Sequence, residues 1–220
     1  MAAAAARGRF MEGYVVIDLY MSGTGNGQRA AIALEEAGLP YRVRKLNLAK
    51  GEQKSPEFLA INPAGAIPAI VDNDAAGGKP LNLSQSAAII LYAAEKSGKL
   101  LPKDPGRRAQ ALQWLMQAAS DCSGTSATIF VLGNMAPDKS QANVEFFEKR
   151  LLKFFGDCDR QLQGKDFLAG ELSAADLALY PVVAARRALI DKAEGLADLK
   201  RWANAMGARP AIQKGMAAGT

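Results

Sequence analysis

Histidine is absent from all 220 residues. That removes the Ser-His-Asp and Cys-His arrangements of nucleophilic catalysis and the ordinary histidine metal site, so no metal is expected. Cysteine is scarce. Cys122 and Cys158 stand 36 positions apart, a spacing that suits neither a metal cluster nor a dithiol redox motif. With no disulfide framework implied, the composition points to a reducing cytoplasm. No run of 18 apolar residues occurs, so no membrane span is expected. Basic runs are missing too: 27 Lys and Arg against 22 Asp and Glu leave a dispersed +5, which does not indicate nucleic acid as a partner. Any catalysis must use hydroxyls, amides, carboxylates, backbone groups or a reactive group carried by the ligand.

The remainder is ordinary globular composition, 49% hydrophobic and 22% charged, long enough for one large domain or two small ones. The alanine-rich opening is too short in its apolar part for a signal peptide, and residues 1–12 are expected to form a flexible extension. Tyr14 to Tyr20 is rich in strand formers. Ser22 to Gly27 reads as a loop by its glycines. Gln28 to Ala37 reads as a helix closed by Gly38 and Pro40, and Tyr41 to Leu48 as a strand. That β-α-β order forces a parallel pair. Ser55 and Pro56 mark the cap and first position of a short helix. Ile67 to Val71 and Pro80 to Leu83 are two further short strands, and Ser84-Gln85-Ser86 opens a helix to about Ser97. The layout β-α-β-α-β-β-α is thioredoxin-like.

Gly98 to Gly106, with Pro102 and Pro105, reads as a linker, after which strand signals stop. Helices are expected from Arg107 to about Ala119, through Val144, Phe147, Leu151, Phe154, Cys158 and Leu162, and from Leu196 to Met206 with Trp202 buried. Between them Ser173 and Asp176 form a capping box and Leu172 and Leu177 a staple, with Pro181 expected to kink the helix that follows. Ala118 to Asp138 carries no readable period. The expected organisation is therefore a first domain over 13–97, a linker over 98–106 and an all-helical domain over 107–220.

The most informative stretch is Asn62 to Asp72. Pro68 sits where a buried strand begins, although proline cannot donate to a ladder. A cis Ile67–Pro68 bond would turn the chain there and free the Ile67 backbone to pair with an extended peptide ligand. Taken by itself, an edge proline explains the same residues. Ser86 at a helix start adds an anion site.

Ile67-Pro68-Ala-Ile followed by Gln85-Ser86-Ala-Ala-Ile resembles the glutathione-binding domain of the cytosolic glutathione transferases. Asn62-Pro63, the Ser173/Asp176 box and Arg209-Pro210-Ala211 extend the resemblance over nearly the whole chain from Tyr14. Thr24-Gly-Asn-Gly27 and Gly51-Glu-Gln53 are most similar to the bacterial nu-class proteins, which include disulfide-bond oxidoreductases. The resemblance implies glutathione as cosubstrate, a small hydrophobic electrophile or a disulfide as the second substrate, and a homodimer. It assigns thiolate stabilisation to Thr24 and Asn26. It assigns tripeptide binding to Gln53, Ile67, Pro68, Gln85 and Ser86, with Lys54 either helping Gln53 or simply solvated. A thiol that titrates near ~8.5–9 needs such donors, since only the thiolate attacks. A two-unit depression requires roughly 2.7 kcal/mol. Locally, Thr24 also reads as a turn hydroxyl and Asn26 as a helix cap, and Ser22 or Tyr20 remain alternative donors. Phe130, Met135, Arg186 and Arg187 are candidates for the second-substrate pocket. Gln85 departs from the acidic residue usual in nu-like proteins. General transferase activity, glutathione-dependent disulfide reduction and a non-catalytic association module all remain open from sequence.

Overall fold

The computed structural model describes residues 16–220; the expected extension over 1–12 and the first residues of the first strand lie outside the described residues. Four strands, β1 (Ile17–Met21), β2 (Tyr41–Lys45), β3 (Ala69–Asp72) and β4 (Leu81–Ser84), form one sheet in the order β2-β1-β3-β4. β1 pairs parallel with β2 and antiparallel with β3, which pairs antiparallel with β4. Period-two alternation sorts β1: Ile17, Leu19 and Met21 are fully buried, whereas Tyr20 on the opposite face rests against Phe58 at 5.9 Å between ring centroids. Phe58 belongs to α2 (Pro56–Ile61), which Ser55 caps as expected and Pro56 begins. Helix α1 (Gly25–Ala37) and helix α3 (Ser86–Ser97) pack together beside the sheet.

Ten α-helices are present among the described residues, and from α4 (Pro105–Met116) onward no strand occurs there. A π-helical turn, Gln117–Cys122, leads from α4 into α5 (Ser123–Asn134). The long α6 (Gln141–Gln161) buries Leu151, Phe155 and Cys158. Helix α7 (Ala174–Ala185) is buried along most of its length and continues through Pro181. Helices α8 (Arg187–Lys192), α9 (Ala197–Gly207) and α10 (Pro210–Ala217) complete the chain. A thioredoxin-like domain joined to a helical domain is the fold expected.

The third and fourth strands, expected from Ile67 and Pro80, begin at Ala69 and Leu81, after their prolines. Three other boundaries also differ from the sequence reading, each for a local reason. The segment read as a loop over Ser22 to Gly27 ends early, because Thr24 caps α1 and Gly25 and Gly27 are already helical. Gly27 is needed for closeness, not for looseness: a Cβ there would stand 2.4 Å from the Ser22 carbonyl oxygen. The second strand stops at Lys45, and Leu48 to Lys50 turn into a 3₁₀ helix capped by Asn47. Helix α4 starts at Pro105, since Asp104 accepts from the Arg107 amide and proline fits a first turn.

The box at the start of α7 is present with one difference. Ser173 N–H and its hydroxyl both donate to Asp176 Oδ2, at 3.0 and 3.1 Å, while Leu168 N–H and Trp202 Nε1–H donate to Oδ1. Asp176 is wholly buried, and that burial raises its carboxyl to about 6 against the four donors. Helix α10 fastens the domains together. Arg209 grips Glu36 with two bonds of 2.7 and 2.9 Å, and Gly215 meets the Ile32 backbone so closely that a Cβ would lie 2.6 Å from its nitrogen.

Candidate active site

The N-terminus of α1 faces two adjoining clefts. Thr24 caps the helix by accepting from Gly27 N–H at 3.3 Å, which leaves its own hydroxyl proton for another acceptor. Thus the cap is Thr24 and not Asn26. Two residues on, Asn26 Oδ1 accepts from Arg29 Nη1 at 2.8 Å. That bond fixes the amide, so both Nδ2 hydrogens remain for a ligand. Sequence reading passed over Arg29. It is 3% exposed, donates from Nε to the Ala178 carbonyl at 2.9 Å and from Nη2 to Ser123 Oγ, and so ties α1 to α7 and α5. Its three acceptors are neutral, and it has no ion pair among the described residues. Burial pulls its guanidinium down to about 10, with the neighbouring Cys122 opposing the shift, so it stays cationic at neutral pH. An uncompensated buried cation costs several kcal/mol.

The first cleft, about 300 Å³, runs from Asn26 and Arg29 along Ile67, Pro68, Gln85 and Ser86 to Ser123. The Ile67–Pro68 bond is cis, and the ladder with β1 begins only at Ala69, so Ile67 faces the cleft outside the sheet. Buried Asn62 shapes this wall: Nδ2 donates to the Ala66 carbonyl at 2.6 Å, and Oδ1 accepts from Ala64 N–H at 3.3 Å. Gln85 takes φ 72°, a conformation that costs a non-glycine residue about 1–3 kcal/mol and concentrates at functional sites. Directly after it, Ser86 begins the twelve residues of α3 with its side chain largely buried in the cleft wall. The helix dipole there favours an anion.

Gln53 lies in a 3₁₀ turn, Glu52–Lys54, beside this wall and does not line the cleft. Lys54 Nζ donates to the Ala64 carbonyl at 3.3 Å, so that lysine is a strut for the wall. The Gln53 Oε1 atom is buried without a hydrogen-bond partner among the described residues.

The second cleft, about 400 Å³, shares Asn26, Arg29 and Ser123 with the first and adds Thr24, Phe130, Pro181, Val182 and Arg186. Arg186 donates from Nε to Ser126 Oγ at 2.9 Å and from Nη2 to the Ser126 carbonyl at 2.6 Å, leaving guanidinium hydrogens over. Of the four residues expected around a second substrate, Phe130 and Arg186 are here. Arg187 instead pairs with Asp191 and Asn204, and Met135 is 67% exposed outside the cleft. Ser22 borders a separate hollow with Asn47 and Glu52, and Tyr20 packs on Phe58, so neither alternative donor joins the clefts. Cys122 and Cys158 are free and buried, and mutual contact with burial holds the Cys158 thiol well above its ordinary value.

Residues 26–96 match the glutathione S-transferase N-terminal domain, and residues 123–217 match the C-terminal domain. The chain is 39% identical to the disulfide-bond oxidoreductase YfcG of Escherichia coli (strain K12) over 199 residues, covering 89% of this chain and 92% of that protein. The chain belongs to the glutathione S-transferase family. It is an enzyme of the glutathione transferase type, with the resemblance and fold as expected. Among solved structures, a Pseudomonas putida glutathione transferase with one glutathione disulfide bound per subunit superposes with a TM-score of 0.86 at 32% identity, over 96% of this chain and 94% of that one. A Burkholderia graminis glutathione transferase with two glutathione molecules bound per subunit also gives 0.86, at 30% identity over 92% and 88%.

Proposed function

We propose that the chain binds glutathione in the first cleft and activates its thiol for attack on a second substrate held in the second. The cysteinyl backbone pairs with Ile67 beside Pro68, Ser86 takes the γ-glutamyl carboxylate and Gln85 the amino end, while the glycyl carboxylate lies toward Gln53. Thr24 Oγ1–H and Asn26 Nδ2–H donate to the sulfur. The observation that carries this reading is the Asn26 amide, whose oxygen is held by Arg29, so that its Nδ2 donors are left for a ligand where the two clefts meet. Donors to a charged group contribute about 1.5–3 kcal/mol each, so two of them can lower the thiol's pKa by about two units.

Transfer of glutathione to an electrophile by substitution is the main reading: the thiolate forms a carbon–sulfur bond and the leaving group departs with its electron pair. Disulfide reduction is the companion, favoured by Arg186, a cation with spare donors on the second cleft's wall, suited to an anionic disulfide. There the thiolate attacks one sulfur and expels the other as a thiolate. A second glutathione thiolate then resolves the mixed disulfide, leaving glutathione disulfide and a second free thiolate. Parallel turnover assays with an aryl halide and with a small mixed disulfide test the reading. Turnover of neither, with glutathione unbound at millimolar concentration, rejects it and leaves an association module.

The division into 13–97, 98–106 and 107–220 is part of the same proposal, as is a homodimer in the cytoplasm. Exposed Met116, Val131 and Phe146 on α4, α5 and α6 favour a self-association surface. Light scattering at 23.3 kDa would identify a monomer and reject the dimer.

A further inference from the structure

We propose that Arg29 is the positioning residue that sets the thiol's acidity, by supplying the positive charge behind Asn26 at the junction of the two clefts. This rests on the glutathione reading above. Three observations carry it. Arg29 is 3% exposed, yet all its recorded acceptors are neutral. It lines both clefts, so an anion arriving at their junction supplies the charge that the protein does not. And its Nη1–H bond to Asn26 Oδ1 at 2.8 Å turns the amide's donors outward and polarises them, as a charge-assisted bond does.

The other two bonds of Arg29, to the Ala178 carbonyl and Ser123 Oγ, hold the guanidinium still from the helical domain. The charge is therefore fixed before any ligand arrives. A negative sulfur accepted by Asn26 gains from the whole chain Arg29–Asn26–sulfur, whereas a neutral thiol gains little. The gain is thus differential: it falls on the ionised sulfur, so it lowers the thiol's midpoint and leaves the binding of S-methylglutathione, which has no thiol proton, unchanged. A strut of the same shape without charge would give no such selectivity.

The test compares Arg29→Met and Arg29→Lys, following the ultraviolet absorbance of the bound thiolate against pH at saturating glutathione. Arg29→Met is expected to raise the midpoint by about one unit or more, and each such unit cuts the thiolate fraction at pH 7 about three- to sixfold and kcat with it. Affinity for S-methylglutathione, which has no thiol proton to lose, should stay as in the wild type. Arg29→Lys keeps the charge and should recover most of the depression. An unshifted midpoint in a folded, glutathione-binding Arg29→Met protein overturns the inference. Equal rises in both variants overturn it too, because they would mark a strut. If the wild type itself binds glutathione with no depressed midpoint, the thiolate reading fails first. Should Arg29→Met not fold, ¹⁵N side-chain spectra of the wild type decide. The Arg29 Nε–H signal should follow the thiolate titration with glutathione and stay still with S-methylglutathione; a signal that ignores the titration overturns the inference.

Discussion

Thr24 performs two roles that one series of substitutions can separate. As the cap of α1 it accepts from Gly27 N–H at 3.3 Å, and as a proposed donor it gives its hydroxyl proton to the sulfur. Losing a threonine cap costs about 1 kcal/mol, which for a chain of this size lowers Tm by about 2–4 °C. Losing a hydrogen bond to a charged sulfur costs about 1.5–3 kcal/mol, or about one to two pKa units. Thr24→Ala should show both effects. Thr24→Asp keeps an acceptor at the cap and so should melt near the wild-type temperature. It replaces the donor with a carboxylate facing the thiolate, so its thiol midpoint should rise at least as far as in Thr24→Ala. Thr24→Ser should change neither quantity much. Thermal denaturation reads the first role and the ultraviolet thiolate titration the second. A Thr24→Asp protein with the wild-type midpoint would refute the donor role and leave Thr24 as a cap alone.

Three further outcomes follow from the same geometry. Ser86→Ala should weaken glutathione binding about tenfold by calorimetry without moving the thiol midpoint, because Ser86 lies at the start of α3, away from the Thr24 end of α1. Gly27→Ala would set a Cβ 2.4 Å from the Ser22 carbonyl oxygen, so it should lower the urea midpoint and turnover together by pushing α1 off β1. Asp176 is raised by burial to about 6 in the folded chain against 3.8 as its ordinary value. The folded state therefore binds this proton more tightly than the unfolded state, and stability should fall by about 3 kcal/mol as pH rises from about 4 to 6. Denaturant melts of Asp176→Asn should be less stable than wild type overall and lack that slope.

Much of the fold was legible because local chemistry and tertiary demand agree. Ser55 with Pro56 starts a helix whatever surrounds it, and the strand formers from Tyr14 to Tyr20 read as a strand in any sheet. The Ser173/Asp176 box was legible for the same reason, although the serine hydroxyl donates to the carboxylate. Gly25 and Gly27 misled, since glycine reads as a loop; Gly27 answers a close approach, whereas a Cβ at Gly25 would meet open space. The tract from Ala118 to Asp138 was illegible because its helix passes from small and hydroxyl residues, with Ser123, Ser126 and Ala127 turned to the clefts, into the unbroken apolar run Ile129 to Leu132, so no stripe sets a phase. Arg29 was missed because a lone arginine reads as surface. One signal was available: it follows Asn26 by three positions and enters Ala30 to Leu34, every one of them buried, so the helix has little solvent face there.

The most direct measurement is the ultraviolet titration of the thiolate in the wild-type complex with glutathione, referenced to the complex with S-methylglutathione. A midpoint about two units below that of free glutathione, near ~6.5–7, is the outcome expected from Thr24, Asn26 and Arg29 acting on one sulfur. A bound thiol that titrates where the free one does would contradict thiolate activation by this site.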